Sequence, residues 1–268
     1  MTFQLALCQM KVAMDKEQNL ATAESMIREA AENRAKVIAL PEMFNCPYSN
    51  QYFREYAEEE GGETVRFLSS IAKELKIYLI GGSIPELENG NVYNTSFSFN
   101  KEGEIIGKHR KIHLFDIDVK GGIRFMESET LTPGESVTIL DTEFCKIGIA
   151  ICYDVRFPEL FRKMTLAGAK VVILPGAFNM TTGPAHWDLT IRARALDNQI
   201  YFAAVSPARD TEGPYQAYGN SCVANPWGEF CGRTDARESF VYAKIDLDYV
   251  EEVRDQLPLL KHRRPALY

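Results

Sequence analysis

The sequence predicts an α/β fold arranged as a four-layer αββα sandwich, with two mixed β-sheets and an internal pseudo-twofold repeat. Three observations predict it. First, Ala35-Lys36-Val37-Ile38-Ala39-Leu40-Pro41 returns as Ala169-Lys170-Val171-Val172-Ile173-Leu174-Pro175, 134 residues later in a chain of 268. Second, Asn100-x-x-Gly103-Glu104-Ile105-x-Gly107 returns as Asn225-x-x-Gly228-Glu229-Phe230-x-Gly232, 125 residues on. Third, strand-like runs alternate with helical ones and also form hairpins, which calls for mixed sheets. Two similar halves would set two sheets face to face with helices outside both.

The elements follow in order. An apolar strand, Gln4 to Met10, opens the chain. Leu20, Ala23, Ile27 and Ala30 or Ala31 then recur at three-to-four spacing, the stripe of an amphipathic helix. The strand Val37 to Leu40 is followed by a helix over Glu63 to Leu75 and a strand over Ile77 to Gly82. The alternating run Val92 to Phe99 reads as a strand that turns at Asn100 to Glu104 into Ile105 to Lys111. The second half opens on the strand Lys146 to Ile151, then a helix over Phe157 to Ala167 that Gly168 stops. The strand Val171 to Leu174 comes next, and a helix over His186 to Asn198 leads into Ile200 to Val205. No linker-like stretch interrupts the pattern, so residues 1–268 read as a single domain.

Composition narrows the function. A hydrophobic fraction of 46% with 25% charged residues is that of a globular chain, not a disordered or fibrous one. The apolar runs fall far short of the roughly 18 residues a membrane span needs, and no signal-peptide pattern opens the chain. Net charge is −7, from 30 basic and 37 acidic residues, which argues against nucleic acid and anionic membranes as partners. The six cysteines, Cys8, Cys46, Cys145, Cys152, Cys222 and Cys231, make neither a disulfide framework nor a Cys-x-x-Cys metal site. A soluble, cytoplasmic protein is expected.

In α/β sheets reactive groups gather past the carboxyl ends of strands. Glu42 follows Val37 to Leu40, Cys152 follows Lys146 to Ile151, and Lys111 ends the strand from Ile105. A carboxylate, an amine and a thiol suit acyl transfer. Cys8 and Cys222 read as core, whereas polar residues begin directly after Cys152 and Phe157-Pro158-Glu159 reads as a first helical turn. The thiol would stand at a strand-to-helix corner, where a positive helix end favours thiolate. With an ordinary pKa of ~8.5 it still needs a base. Glu42 can take the proton, while Lys111 can hold an oxyanion and lower both neighbours' pKa values. A Cys–His pair with His113 or His186 is the competing arrangement. His109 and His113 have the spacing of a helical metal pair but fall on a strand, which splays the rings and argues against metal.

Leu40-Pro41-Glu42, His109-Arg110-Lys111-Ile112-His113-Leu114 and Ile151-Cys152-Tyr153-Asp154-Val155-Arg156-Phe157-Pro158-Glu159 together resemble the nitrilase superfamily of carbon–nitrogen hydrolases. The resemblance runs from about Phe3 to Tyr268, and the family's αββα sandwich accounts for the internal echo. It implies a Glu–Lys–Cys triad at Glu42, Lys111 and Cys152, assisted by Glu127, with Glu129 the weaker match. Leu114 to Val119, Pro175 to Trp187 and Ser206 to Asp210 are similar to the omega-amidase branch, whose members hydrolyse the side-chain amides of 2-oxoglutaramate and 2-oxosuccinamate. The deaminated glutathione amidases share Gly183 to Trp187 and a tail like His262 to Pro265, and are the nearest rival. A nitrile hydrolase of the same family and a non-catalytic binding protein that keeps the fold compete more weakly.

The resemblance implies no cofactor and a small-molecule amide as the substrate. It also implies a homodimer formed through the helix after the nucleophile strand and the apolar tail Leu257 to Tyr268. Tyr153 is expected to offer its backbone N–H to the oxyanion. A small dicarboxylic monoamide would need a carboxylate anchor, for which Tyr48, Arg156, Thr181 and Thr182 are candidates, with Phe115 as apolar wall. Arg156 could instead brace Glu159 or Asp154, and the threonines could cap the helix containing His186 to Asn198.

Overall fold

Alternation along the strands decides the layering. In the strand Thr2–Gln9, Leu5 and Leu7 face one way and Ala6 and Cys8 the other. The first set meets Val37, Ala39 and Ile80, and across the interior Ile147, Ile149, Val171, Ile173 and Val205 of a second sheet. The second set meets the apolar stripes of two helices, Lys16–Glu32 and Glu63–Leu75, through Ala23, Ile27, Leu68 and Ile71. Val172 and Leu174 likewise turn outward onto Phe161, Met164, Trp187 and Ile191 of the helices Pro158–Leu166 and Gly183–Asn198. The result is helix, sheet, sheet, helix. This computed structural model describes residues 1–121, 123–213 and 215–267, so the last residue of the expected tail, Tyr268, lies outside the described residues.

Both sheets are mixed. The first has parallel Thr2–Gln9, Val37–Ala39 and Tyr78–Ile80 at its centre. Ser239–Asp246 runs antiparallel beside Thr2–Gln9, and Ile84–Glu88, Asn91–Phe99 and Ile105–Arg110 complete the other side. The second has parallel Lys146–Ile149, Ala169–Pro175 and Tyr201–Val205, flanked by antiparallel Thr138–Asp141 and by Cys222–Ala224 with Phe230–Arg233. A small hairpin, Asp116–Asp118 with Arg124–Met126, stands apart.

The echoed turns share one construction. Asn100 Oδ1 accepts the N–H groups of Glu102 and Glu104 at 3.0 and 2.9 Å, and Gly103 takes a φ of 79°. Asn225 Oδ1 accepts those of Trp227 and Glu229 at 2.9 and 3.0 Å, and Gly228 takes 82°. The short polar side chain builds the turn and the glycine supplies its left-handed residue. Most element ends lie within two residues of expectation; the helix before Tyr201 differs by three and starts at Gly183, because Pro184 fits the first turn.

Candidate active site

Four chain segments deliver the site to one end of the sandwich. Val37–Ala39 runs out into Glu42, Ile105–Arg110 into Lys111, Lys146–Ile149 into Cys152, and Ala169–Pro175 into Ala177. Lys111 is fully buried, and its Nζ donates to Glu42 Oε1 and to Glu127 Oε1, both at 2.9 Å. Glu42 and Glu127 are buried as well. Asn94 Nδ2 donates to Glu42 Oε1 at 2.8 Å, and the Ala177 N–H donates to Glu42 Oε2 at 2.8 Å. The Cys152 thiol stands against the Glu42 carboxyl and the Ala177 backbone, close enough for both to act on its ionisation. The expected trio therefore lies together, with Glu127 as a fourth member.

Glu127 is fixed from three directions. Besides Lys111, its Oε1 accepts the Tyr48 hydroxyl at 2.6 Å, and its Oε2 accepts the Phe115 N–H at 2.7 Å. Glu129, the weaker sequence match, is exposed and pairs with Arg124 at 3.0 Å. The Tyr48 hydroxyl, expected to reach for substrate, is thus engaged in bracing Glu127, and lies 3.5 Å from Glu42 Oε1. Phe115 is buried edge-on against Tyr153, as a wall residue would be.

Cys152 opens a single 3-10 turn, Cys152–Arg156, with a left-handed φ of 44°. A β-carbon makes that conformation costly, and such strain persists only where the surroundings hold it. Asp154 does the holding. Its Oδ2 accepts the Ile151 N–H at 3.0 Å and contacts His109 Nε2 at 3.2 Å. Its Oδ1 accepts the His113 N–H at 3.0 Å and contacts His113 Nδ1 at 2.8 Å. One buried carboxylate so ties the Cys152 turn to the segment that carries Lys111. The histidines are thereby accounted for: His109 and His113 serve Asp154, and His186 Nδ1 lies 3.2 Å from Arg156 Nη1. None bonds the thiol, so the Cys–His arrangement falls away.

Electrostatics correct one expectation. The Cys152 thiol is held well above its ordinary pKa, by burial first and by the Glu42 charge second; Lys111 and the Ala177 N–H oppose this without reversing it. Burial also raises Glu42, against the pull of Lys111. Burial disfavours the Lys111 ammonium, but Glu127 and Glu42 outweigh it and keep the group protonated. These directions favour a neutral thiol at Cys152 rather than a thiolate at a helix end.

Arg156, on the same turn as Cys152, is half-buried. Its guanidinium sits 5.1 Å from the Phe178 ring centre and 5.5 Å from that of Tyr153. Among the described residues it pairs with no carboxylate, and its buried Nε has no hydrogen-bond partner. It braces neither Asp154 nor Glu159. Thr181 and Thr182 form the turn before the helix Gly183–Asn198, where Asn179 Oδ1 accepts both N–H groups at 3.0 and 2.9 Å. Asn179 builds this turn, Thr182 stands at the helix N-cap without a side-chain capping bond, and neither threonine hydroxyl bonds a member of the Glu–Lys–Cys set among the described residues. A cavity of about 100 Å³ opens beside Glu42 and Tyr48, with Met14, Met43, Tyr215 and Ala217 among its walls; its lining stops short of Cys152. Asn94, Ala177 and Asp154 escaped the sequence reading. A trace of Asn94 was there, since Asn94, Ser96 and Ser98 put polar groups on one face of an otherwise core-like strand.

The sequence pattern of the family described as carbon-nitrogen hydrolase matches residues 4–255. Omega-amidase NIT2 of Xenopus tropicalis is 52% identical over 266 residues, covering 99% of this chain and 96% of that protein. Omega-amidase NIT2 of Homo sapiens is 51% identical over 267 residues, covering 100% and 97%. Among solved structures, Saccharomyces cerevisiae Nit3, a member of branch 10 of the nitrilase superfamily, superposes with a TM-score of 0.91 at 43% identity, covering 98% of this chain and 97% of that one. A likeness that holds from end to end, in sequence and in the layering of the sheets, leaves one conclusion: the chain belongs to the carbon–nitrogen hydrolase family of the nitrilase superfamily.

Proposed function

We propose that the protein is a cysteine-dependent omega-amidase, hydrolysing the terminal amide of a small 2-oxo acid monoamide such as 2-oxoglutaramate or 2-oxosuccinamate. The observation that carries the chemistry is the buried Lys111 ammonium bridging Glu42 and Glu127, with the Cys152 thiol against Glu42. Glu42 takes the thiol proton as sulfur attacks the amide carbon, and the carbonyl π pair moves onto oxygen. Lys111 and the Tyr153 N–H hold that oxyanion. As the tetrahedral adduct collapses, Glu42 returns the proton to the departing nitrogen and ammonia leaves a thioester on Cys152. Glu42 then deprotonates water, which attacks the thioester; the acid departs and the proton returns to sulfur.

The substrate class rests on Arg156 and on size. A guanidinium that pairs with no carboxylate among the described residues, on the same turn as Cys152, suits the far carboxylate of a dicarboxylic monoamide. The relatives named omega-amidase support the same choice. We take residues 1–268 as one catalytic domain, in keeping with a central core drawn from both halves. We also propose a homodimer. Leu189, 68% exposed, and Leu196 lie two turns apart on the outer face of Gly183–Asn198, with Leu196 against Gly228 of the turn that carries exposed Trp227, and need a cover. No helix among the described residues is long and apolar enough to cross a membrane. We propose a cytoplasmic setting because all six cysteines are free thiols, the state that a reducing compartment maintains.

The deciding experiment compares kcat/KM on 2-oxoglutaramate, deaminated glutathione and a simple nitrile, with hydroxylamine present to trap the acyl group. The reading expects 2-oxoglutaramate to lead and a hydroxamate to form only with Cys152 intact. Preference for deaminated glutathione would overturn the substrate and leave the triad standing. Full activity in Cys152→Ala would overturn the mechanism.

A further inference from the structure

Glu42 must do more than be basic. It has two oxygens, and the proton has to arrive on the one that can return it to the leaving nitrogen. Oε1 accepts Lys111 Nζ at 2.9 Å and Asn94 Nδ2 at 2.8 Å, which fills both of its lone pairs. Among the described residues Oε2 accepts one backbone donor, the Ala177 N–H at 2.8 Å, and that same backbone segment adjoins the thiol. Asn94 is completely buried in the strand Asn91–Phe99. Its own carbonyl accepts the Lys111 N–H at 2.8 Å, so a single residue fixes the lysine's backbone and the glutamate's side chain. Its Oδ1 has no partner among the described residues, so the hydrogen bond its side chain makes there is the one to Glu42.

We infer that Asn94 is a positioning residue of the reaction: by occupying the second lone pair of Glu42 Oε1, it directs the Cys152 proton onto Oε2. The inference rests on the catalytic reading of Glu42, Lys111 and Cys152 given above. In the acylation step the S–H pair stays on sulfur and becomes the new S–C bond, while the proton bonds to Oε2. When the C–N bond breaks, its electron pair stays with nitrogen and the Oε2 proton joins it. Without Asn94, Oε1 would compete for the proton from a position that Lys111 holds. The groups facing Glu42 are Lys111, Glu127, Tyr48, Tyr215 and Cys152. None but Lys111 can replace the lost donor with a charged one.

The test is the pH dependence of kcat/KM and of Cys152 alkylation by iodoacetamide, which needs no substrate, in two variants. Asn94→Leu removes a donor to the carboxylate form of Glu42. Its acid limb is expected to move up by about one pH unit, with kcat at least roughly tenfold lower and KM within about threefold. Asn94→Asp keeps the shape but donates only while its new carboxyl is protonated. It should retain activity at acid pH and lose it, as pH rises, earlier than the wild type. Should Asn94→Leu fail to fold, the isosteric Asn94→Asp decides alone. Limbs that stay where the wild type has them, or losses confined to KM, would overturn the inference. Glu42→Gln and Cys152→Ser, run alongside, separate the two readings: if either stays active, the triad reading itself fails.

Discussion

Replacing Glu127 by glutamine tests whether the fourth charged group works on catalysis or only fills the core. The carboxylate accepts three hydrogen bonds, from Lys111, Tyr48 and the Phe115 N–H. An amide has one acceptor oxygen, so its NH2 must confront a donor on one side or the other. At 2.9 Å from Lys111 Nζ the lost charge is worth roughly 6 kcal/mol of attraction at an effective dielectric near 20, most of it offset by desolvation in the folded protein. What remains is a charge-assisted bond of about 1.5–3 kcal/mol and one unpaired donor at about 1–3 kcal/mol. We expect a net loss of about 3–5 kcal/mol in urea denaturation. Catalysis should change in a signed way. The Glu127 charge raises the Glu42 pKa, so its removal makes Glu42 a weaker base with Lys111 drawn fully to it. Activity should fall roughly 10²-fold or more, and the acid limb of kcat/KM should move to lower pH. A variant that stays within tenfold of wild type, or whose acid limb moves up, would refute the reasoning.

Three further outcomes are expected. Asp154→Asn removes the clamp between the nucleophile turn and Lys111, and we expect about 3–5 kcal/mol of lost stability with the Cys152 turn disordered by hydrogen exchange. Burial would raise the Asp154 pKa, but bonds from His109 and His113 hold it well below the ordinary value. Its contribution is therefore full above about pH 4 and lost as pH falls further, so acid unfolding of the variant should flatten across that window. Arg156→Met should raise KM for 2-oxoglutaramate far more than it lowers kcat, and an unchanged KM would remove the guanidinium from the substrate site. Leu189→Asp combined with Leu196→Asp should give a species of 30.3 kDa in light scattering where the wild type gives twice that; a wild type already at the single-chain mass contradicts the dimer.

Local periodicity carried the layers, because a strand with one face inward and one outward writes both into its own residues. Val37, Ile38, Ala39 and Leu40 are divided between two cores in this way. The partner of a strand is another matter. Ser239–Asp246 pairs with Thr2–Gln9 along eight residues, Thr2 opposite Asp246 and Gln9 opposite Ser239, yet nothing local in either names the other. Asp116–Asp118 is too short to show a period at all. The site divides similarly. Glu42, Lys111 and Cys152 follow strands and stand out by position, whereas Asp154 matters through His109 and His113, which lie 45 and 41 residues away. Tyr48 and Thr182 stand close in sequence to the strand ends that carry the site. Side-chain hydrogen bonds, to Glu127 and Asn179, decide where their hydroxyls go.

Burial also explains why Cys152 is held toward the neutral thiol and not the thiolate expected at a helix end. A cysteine at the start of a helix gains thiolate character when the helix end is exposed to it and the thiol is partly solvated. Here Cys152 begins a single 3-10 turn, too short for a strong dipole, and is buried beside a carboxylate. Both features favour the neutral thiol, and the left-handed backbone at Cys152 adds strain rather than charge. The thiolate therefore need form only when a carbonyl is present to receive its electrons. In the proposed mechanism the proton moves to Glu42, whose raised pKa favours accepting it, and Lys111 exchanges a contact with a carboxylate for one with the new oxyanion. Charge shifts from sulfur to oxygen within reach of one ammonium, so little solvent needs to reorganise. Within that proposal, the Glu42 and Glu127 carboxyls on either side of Lys111 favour its ammonium form, and this is the electrostatic role we propose for Glu127.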